Sequence, residues 1–206
     1  MKKNYTLLLL LAMTLLGVAT QTKAQAPLME PSINLTFITD DENASLVIHV
    51  LAPTDGCWID LNGDSQCQDN EKIQKGDEKR AIDLPKDLTK ATIYGPITYL
   101  NLNKTALTSI DLSKINTLEE LWCYQTGITQ LDVTGQPNLE KLFCYSTVIK
   151  ELDLSKSPKL KELGVQNCML KAIDLSNLPE LEVVVLSGNK ISSVDLTHNR
   201  SEERRV

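Results

Sequence analysis

The sequence has few of the side chains that enzymes use for general acid–base catalysis. It contains only two histidines, His49 in a strand-like pattern and His198 near the C-terminus. A nucleophile, a base and an acid that orients the base cannot be assembled convincingly from this set. The nine glycines form no phosphate-binding loop. These absences argue against an enzyme, and we expect no catalytic residues.

An excess of positive charge is also absent. Lysine and arginine together number 21 against 27 acidic residues, which gives a net charge of −6 at pH 7. A chain of this charge has nothing that attracts nucleic acid or an anionic membrane surface. We therefore expect no nucleic acid among the partners.

The only long apolar run lies near the N-terminus. Lysines precede this run, over residues 7–18, and small and polar residues follow it. The order is typical of a secretory signal peptide, and the run is shorter than the roughly 20 residues that span a bilayer. We expect a signal peptide over residues 1–24, cleaved after Ala24 or else after Ala26, with an uncleaved membrane anchor as the alternative. Removal of its three lysines brings the net charge to −9. The mature protein is then secreted, periplasmic or on the outer cell surface, without membrane insertion.

From residue 97 onward the sequence repeats every 21 residues, and five copies follow without a gap. Each copy has aliphatic or cysteine side chains at its first, fourth and sixth positions. These are Ile97, Leu118, Leu139, Leu160 and Leu181; Leu100, Leu121, Leu142, Leu163 and Val184; and Leu102, Cys123, Cys144, Val165 and Leu186. Each copy has two further aliphatic positions, and an invariant aspartate directly follows the second of them. These aspartates are Asp111, Asp132, Asp153, Asp174 and Asp195. A period of this length predicts a solenoid, because one copy cannot bury its own apolar face.

These residues resemble the leucine-rich-repeat consensus LxxLxLxxNxL. The 21-residue length and the LxxLDLS tail are similar to the internalin-like repeats of bacterial surface proteins. The resemblance implies that each copy adds one short strand to a parallel sheet on the concave side of the solenoid. The expected fold class is therefore mainly β, with the leucine-rich repeats over residues 96–199 and an irregular tail over 200–206.

The repeats depart from the consensus at a turn position where the family usually has asparagine. That position holds Thr105, Thr126, Thr147, Cys168 and Asn189. Threonine hydroxyls bond the local backbone less completely than asparagine does, so less rigid turns are expected within an unchanged fold. The repeated aspartates are expected to stabilise turns on the side away from the concave sheet, and not to act as paired catalytic carboxylates.

Residues 25–95 predict a small β domain of sandwich type that caps the first repeat. Alternating apolar residues over 32–51 indicate two strands with a turn at 40–43 between them. Further strands are expected at 57–59 and 91–94, whereas charged residues dominate 71–80.

An acidic loop inside this domain resembles the calcium loops of EF-hand and dockerin type. Oxygen donors stand at its first, third, fifth and twelfth positions, and a backbone carbonyl at the seventh completes the set. They are Asp60, Asn62, Asp64 and Glu71, with the carbonyl of Gln66. A hard cation needs six to eight oxygens, but the glycine expected at the sixth position is replaced by Ser65. A polar turn built on Asn62-Gly63 is the alternative, and any bound calcium would be structural.

The five cysteines differ in their surroundings. Cys57 and Cys67 flank the acidic loop of an exported chain, so a local disulfide between them is one possibility. Cys123 and Cys144 occupy the inward sixth position of adjacent copies, where buried thiols are expected. No pair has the close spacing of a zinc site.

Four of the nine aromatic residues fall on one predicted surface. Strand side chains alternate, so the fifth and seventh positions of each copy face outward on the concave sheet. These positions hold Trp122 and Phe143, and Tyr124 and Tyr145, in two adjacent copies. The third position adds a polar rim with Tyr99, Glu120 and Lys141. An exposed aromatic patch suggests recognition, although cross-strand ring pairs also stabilise a sheet.

Two hypotheses about function follow. The first is an exported adhesion or recognition protein that binds a protein, peptide or glycan of a host or bacterial surface on its concave face. The second is a structural surface module that spaces or tethers other components. No cofactor is expected apart from structural calcium in the acidic loop.

Overall fold

The computed structural model describes residues 31–38 and 44–199. The predicted signal peptide, the turn at 40–43 and the tail at 200–206 lie outside these residues. The described chain contains a short 3-10 helix, Asp69–Glu71. Its strands are β1 (Pro31–Phe37), β2 (Val47–Leu51), β3 (Trp58–Asp60), β4 (Arg80–Asp83), β5 (Lys90–Tyr94), β6 (Tyr99–Asn101), β7 (Leu107–Asp111), β8 (Glu120–Trp122), β9 (Lys141–Phe143), β10 (Glu162–Gly164) and β11 (Val183–Val185).

A seven-stranded sheet forms the concave side of the molecule. Its order is β11-β10-β9-β8-β6-β2-β4. Five of these strands come from the five repeats, and they are parallel and in register, with Leu121 beside Leu142 and Leu142 beside Leu163. The predicted parallel sheet of a leucine-rich-repeat solenoid is therefore confirmed. Beyond the first repeat, β2 pairs with β6 in antiparallel orientation, and β4 pairs with β2.

A second, four-stranded sheet has the order β3-β5-β1-β7 and is antiparallel. Strands β1 and β2, which the sequence pattern places in succession around a turn, thus belong to different sheets. Strand β7 belongs to the first repeat, so both sheets continue from the N-terminal region into the solenoid. The end of the predicted N-terminal domain at residue 95 therefore does not coincide with a boundary between the two sheets. Strand β4 lies partly in the charged stretch, where no strand was expected.

The aliphatic columns of the repeats form one core with the N-terminal strands. The first, fourth and sixth positions of all five copies are buried. Burial of these columns follows from the repeat itself, because each copy covers the apolar side of the copy before it. Ile33, Ile48 and Ile93 extend the same core through the N-terminal region.

Threonine at the turn position makes one side-chain hydrogen bond to the backbone in each copy that has it. The Thr105, Thr126 and Thr147 hydroxyls each donate to the carbonyl three residues earlier, at 2.7 to 2.8 Å. The Asn189 amide instead donates to the carbonyls of Val165 and Leu186 and accepts the Leu170 N–H. The threonine turns thus hold fewer backbone groups than the asparagine turn does, as the sequence predicts.

The repeated aspartates are turn residues, as expected. In every copy the aspartate Oδ1 accepts the backbone N–H of the serine or threonine two residues later, at 2.9 Å. At Asp132, hydrogen bonds from the Thr134 side chain and then from its backbone lower the pKa of the carboxyl. All five carboxylates are exposed, and each is engaged by its own turn.

Candidate functional site

The aromatic residues of the second and third repeats emerge side by side on the concave sheet. Trp122 pairs with Phe143 in the strand register, and Tyr124 and Tyr145 follow two residues later in the same copies. All four side chains are half-buried, so they are neither packed in the core nor fully free in solvent. We call these four residues the aromatic platform.

The rings of the aromatic platform pack in pairs between the two adjacent repeats, one pair tilted and the other stacked. The ring centroids of Trp122 and Phe143 are 4.3 Å apart, and those of Tyr124 and Tyr145 are 4.1 Å apart at an interplanar angle of 10°. Trp122 also contacts Tyr124 at 6.5 Å with tilted planes. Burial, and then the hydrogen bond with Tyr124, raise the pKa of Tyr145 to about 12. The Tyr145 phenol is therefore a neutral hydrogen-bonding group at physiological pH.

Charged groups beside the aromatic platform are paired with one another. The Lys79 Nζ lies 3.1 Å from the Glu120 Oε2, and the Lys141 Nζ lies 2.7 Å from the Glu162 Oε1. The indole N–H of Trp122 donates to the Glu120 Oε2 at 3.2 Å. Hydrogen bonding to Glu162 raises the pKa of Lys141. The polar rim predicted from Glu120 and Lys141 is present, and it consists of ion pairs.

Tyr99, predicted as part of this rim, is not available there. Its side chain is only 6% exposed, and the Lys79 Nζ lies 3.7 Å from the centroid of its ring. Its hydroxyl accepts a hydrogen bond from the Asn101 Nδ2 at 3.1 Å. The prediction failed because the repeat pattern cannot show that a lysine from the preceding loop covers this ring.

Sequence reasoning also missed the contribution of β2 to the concave face. Ile48 and Val50 are buried, so His49 between them points to the opposite side of the strand. His49 pairs with Asn101 in the antiparallel register, and side chains directly opposite one another share a face. His49, Asn101 and Trp122 therefore follow one another across adjacent strands. The alternation around His49 was visible in the sequence, but its partner strand was not.

The acidic loop is organised by its own side chains. The Asp60 carboxylate is 4% exposed and accepts the backbone N–H groups of Asn62, Gly63 and Ser65. The Glu71 carboxylate is 2% exposed and accepts those of Leu61 and Gln68. The Ile73 backbone N–H donates a hydrogen bond to the Cys57 carbonyl at 2.9 Å, which closes the base of the loop. The loop is therefore much wider than a two-residue turn at Asn62-Gly63.

The donor chemistry of the acidic loop suits calcium, because the Asp60 Oδ2 and both Glu71 carboxylate oxygens each accept one N–H and keep a lone pair, although the Asp60 Oδ1 accepts two. The Asn62 amide, however, donates to the Asp64 Oδ2 at 3.1 Å. Within residues 31–38 and 44–199, no group of three or more His, Cys, Asp or Glu side chains is placed to hold a metal ion. The predicted calcium ligands also include the Asn62 side chain and the Gln66 carbonyl, which are not groups of these four residue types. Calcium binding therefore stays a prediction.

The cysteines are free thiols throughout the described chain. Cys57 is buried and donates to the Pro96 carbonyl at 3.1 Å, whereas Cys67 is exposed. The predicted disulfide between them is not formed, because one side chain lies in the core and the other in solvent. Cys123 and Cys144 are buried as expected, and burial raises the pKa of Cys123 to about 12.

In-register parallel strands, buried aliphatic columns and a 21-residue period together define a leucine-rich-repeat solenoid. No protein-family model matches the chain, and no curated protein matches it. No helix of the described residues is long and apolar enough to span a membrane.

Solved structures of leucine-rich-repeat proteins are similar to this chain. The functional domain of InlJ from Listeria monocytogenes, which includes a cysteine ladder, is 26% identical over 51% of this chain and 25% of its own, with a TM-score of 0.48. Internalin C2 of the same species is 26% identical over 53% of this chain and 51% of its own, with a TM-score of 0.45. A leucine-rich-repeat protein of Leptospira interrogans is 18% identical over 52% and 39%, with a TM-score of 0.37. The chain thus spans between a quarter and about half of the length of these proteins.

Proposed function

We propose that the protein is an exported recognition module that binds a protein, peptide or glycan of a host or bacterial surface on its concave face. The aromatic platform is the observation that carries this proposal. Four half-buried rings from two adjacent repeats form one continuous surface, in a chain that has nine aromatic residues in all. Large, partly exposed aromatic side chains of this kind are the commonest anchors of binding sites.

The charges around the aromatic platform support the same proposal. Lys79 pairs with Glu120 and Lys141 pairs with Glu162, so these four charges of the rim balance one another. A partner can cover the rings without leaving an unpaired charge behind. The rival function, a spacer or tether, needs none of these features on the concave face. It requires the rings only as cross-strand pairs that stabilise the sheet by about 0.2–1 kcal/mol each.

A double substitution distinguishes the two functions. Labelled mature protein is incubated with intact host and bacterial cells, and its retention is compared with that of the Trp122→Ala/Tyr145→Ala variant. A recognition module loses retention in this variant while its circular dichroism spectrum stays unchanged. A variant that folds and is retained as well as the unsubstituted protein contradicts the proposal and favours the spacer.

Val148→Ala/Met169→Ala is the matched control. These two side chains are 39% and 40% exposed and lie in adjacent repeats, but outside the aromatic platform. The control removes exposed apolar surface without touching the rings, so it should leave retention unchanged. Loss of retention in the control as well would indicate nonspecific adhesion.

We also propose that the acidic loop binds one structural calcium ion, with oxygens of Asp60, Asn62, Asp64 and Glu71 and the Gln66 carbonyl as ligands. The support is the chemistry of this donor set and the burial of two of its carboxylates. Calcium would tie the loop to strand β3 and has no role on the concave face.

A further inference from the structure

We infer that the ligand of the concave face is a neutral oligosaccharide, which lies across the strands from His49 over Asn101 to Trp122 and Phe143. This inference rests on the proposed function and adds the ligand class and the polar half of the site. Its basis is the order of side chains along one row of the seven-stranded sheet. The row changes from hydrogen-bonding groups to aromatic rings between Asn101 and Trp122.

The indole of Trp122 offers one face to a ligand. Phe143 covers the other face, with its centroid at 4.3 Å. On the free side the neighbour in register is the shorter Asn101, and no second ring of the described chain stacks there. A sugar ring has an apolar C–H face that can pack on an aromatic ring, as amphipathic ligands do in sites with few polar groups.

Hydrogen-bonding groups lie beside that free face. His49 is half-buried, and no partner for its imidazole is found among the described residues. The Asn101 amide donates to Tyr99 and accepts the Asn103 N–H, which leaves it a second N–H and a second lone pair. Hydroxyl groups can both donate and accept, so they match an imidazole and an amide in either orientation.

The charge distribution favours a neutral ligand over an ionic one. A phosphate, carboxylate or basic peptide would have to compete with the Lys79–Glu120 or Lys141–Glu162 pair. A neutral ligand leaves both pairs intact. From β2 to β9 the row crosses three strand spacings, roughly 14 Å, which accommodates an oligosaccharide of a few rings.

The test uses the mature chain on an array of neutral and acidic oligosaccharides, with short basic and acidic peptides included. The inference expects binding to neutral oligosaccharides built from glucose, galactose, mannose or N-acetylglucosamine. The best of these is then titrated by calorimetry at low and high sodium chloride. Its affinity should stay constant with salt, because no charges are exchanged on binding.

Two variants locate the site. His49→Ala and Asn101→Ala should each weaken the affinity for this saccharide about fivefold or more, as expected for lost hydrogen bonds to a bound ligand. His198→Ala, the same change at the other histidine of the chain, is the control and should bind normally. Circular dichroism and thermal melts establish that each variant is folded.

The outcomes separate this inference from the proposed function. Binding to peptides or acidic glycans but to no neutral saccharide overturns the inference, and so does a neutral saccharide whose affinity ignores His49→Ala and Asn101→Ala. If Trp122→Ala/Tyr145→Ala still abolishes cell retention in either case, the recognition function stands with another ligand. If that variant is retained normally, both proposals fail.

Discussion

The ring of Phe143 lies directly against the backbone of Gly164 in the next repeat. A Cβ atom on Gly164 would come within 2.6 Å of the Phe143 Cδ1, a distance that real Cβ atoms do not show. Glycine at this position therefore lets the Phe143 ring lie over β10, and Trp122 packs against that ring at an interplanar angle of 32°. The aromatic platform depends on a residue that has no side chain.

Gly164→Ala should accordingly disturb the platform. The added methyl group forces the Phe143 ring to move, and overpacking of this kind costs about 1–3 kcal/mol. Urea unfolding of the variant measures this loss. Gly135→Ala is the control, because the nearest atom to its Cβ is 3.8 Å away. Equal stability of the two variants would show that Phe143 does not rest on Gly164.

Thr126→Val should destabilise the solenoid by about 1–2 kcal/mol. The substitution keeps the shape of the side chain but removes the hydroxyl that donates to the buried Cys123 carbonyl at 2.7 Å, and an unpaired buried acceptor is costly. Thr129→Val changes an exposed threonine of the same repeat and should alter the unfolding free energy little. A neutral effect at Thr126 would mean that its hydroxyl does not hold the turn.

The aspartate column should make the protein less stable in acid. Hydrogen bonds lower the pKa of these carboxyls below the ordinary value of 3.8. Their contribution is therefore complete above that value and is lost as the pH falls through the folded values. Asparagine keeps the acceptor oxygen but does not titrate, so Asp132→Asn should show a shallower loss of unfolding free energy below the ordinary carboxyl pKa of 3.8 in urea unfolding. If the stability of Asp132→Asn falls with pH as steeply as that of the unsubstituted protein, titration of the aspartates does not cause the acid sensitivity.

Calcium should raise the melting temperature of the mature protein if the acidic loop binds it, because a ligand that binds only the folded state stabilises that state. Melting curves with calcium chloride and with a chelator measure the shift. The Asp64→Asn variant should lose it, since the side chain of Asp64 is exposed and bonds only within the loop. Identical melting curves of the unsubstituted protein in both conditions would contradict calcium binding.

The repeat determined much of what could be predicted. Its fixed spacing identified the buried columns, and strand alternation then placed Trp122 beside Phe143 on the concave face. Residues outside the repeat were harder to place, because the partners of an N-terminal strand lie far along the chain. The pairing of His49 with Asn101 and the position of Lys79 over Tyr99 are contacts of this kind. No local pattern in the sequence specifies them.

The free thiols show the same limit. Cys57 and Cys67 are ten residues apart in the sequence, which made a disulfide reasonable. Cys57 belongs to the core beneath β3, however, and Cys67 lies on the exposed part of the acidic loop. That Cys57 is buried and Cys67 is exposed could be learned only from the packing of the whole N-terminal region.

The central claim is that the aromatic platform is the binding surface of the protein. Its most direct test is the dissociation constant of folded Trp122→Ala for a partner isolated by pull-down from host or bacterial surface extracts, measured by calorimetry beside that of the unsubstituted protein. A central aromatic anchor is worth about 2 kcal/mol or more, which corresponds to a loss of affinity of about thirtyfold. A dissociation constant within about twofold of the unsubstituted value, the range of near-neutral contacts, would contradict the claim.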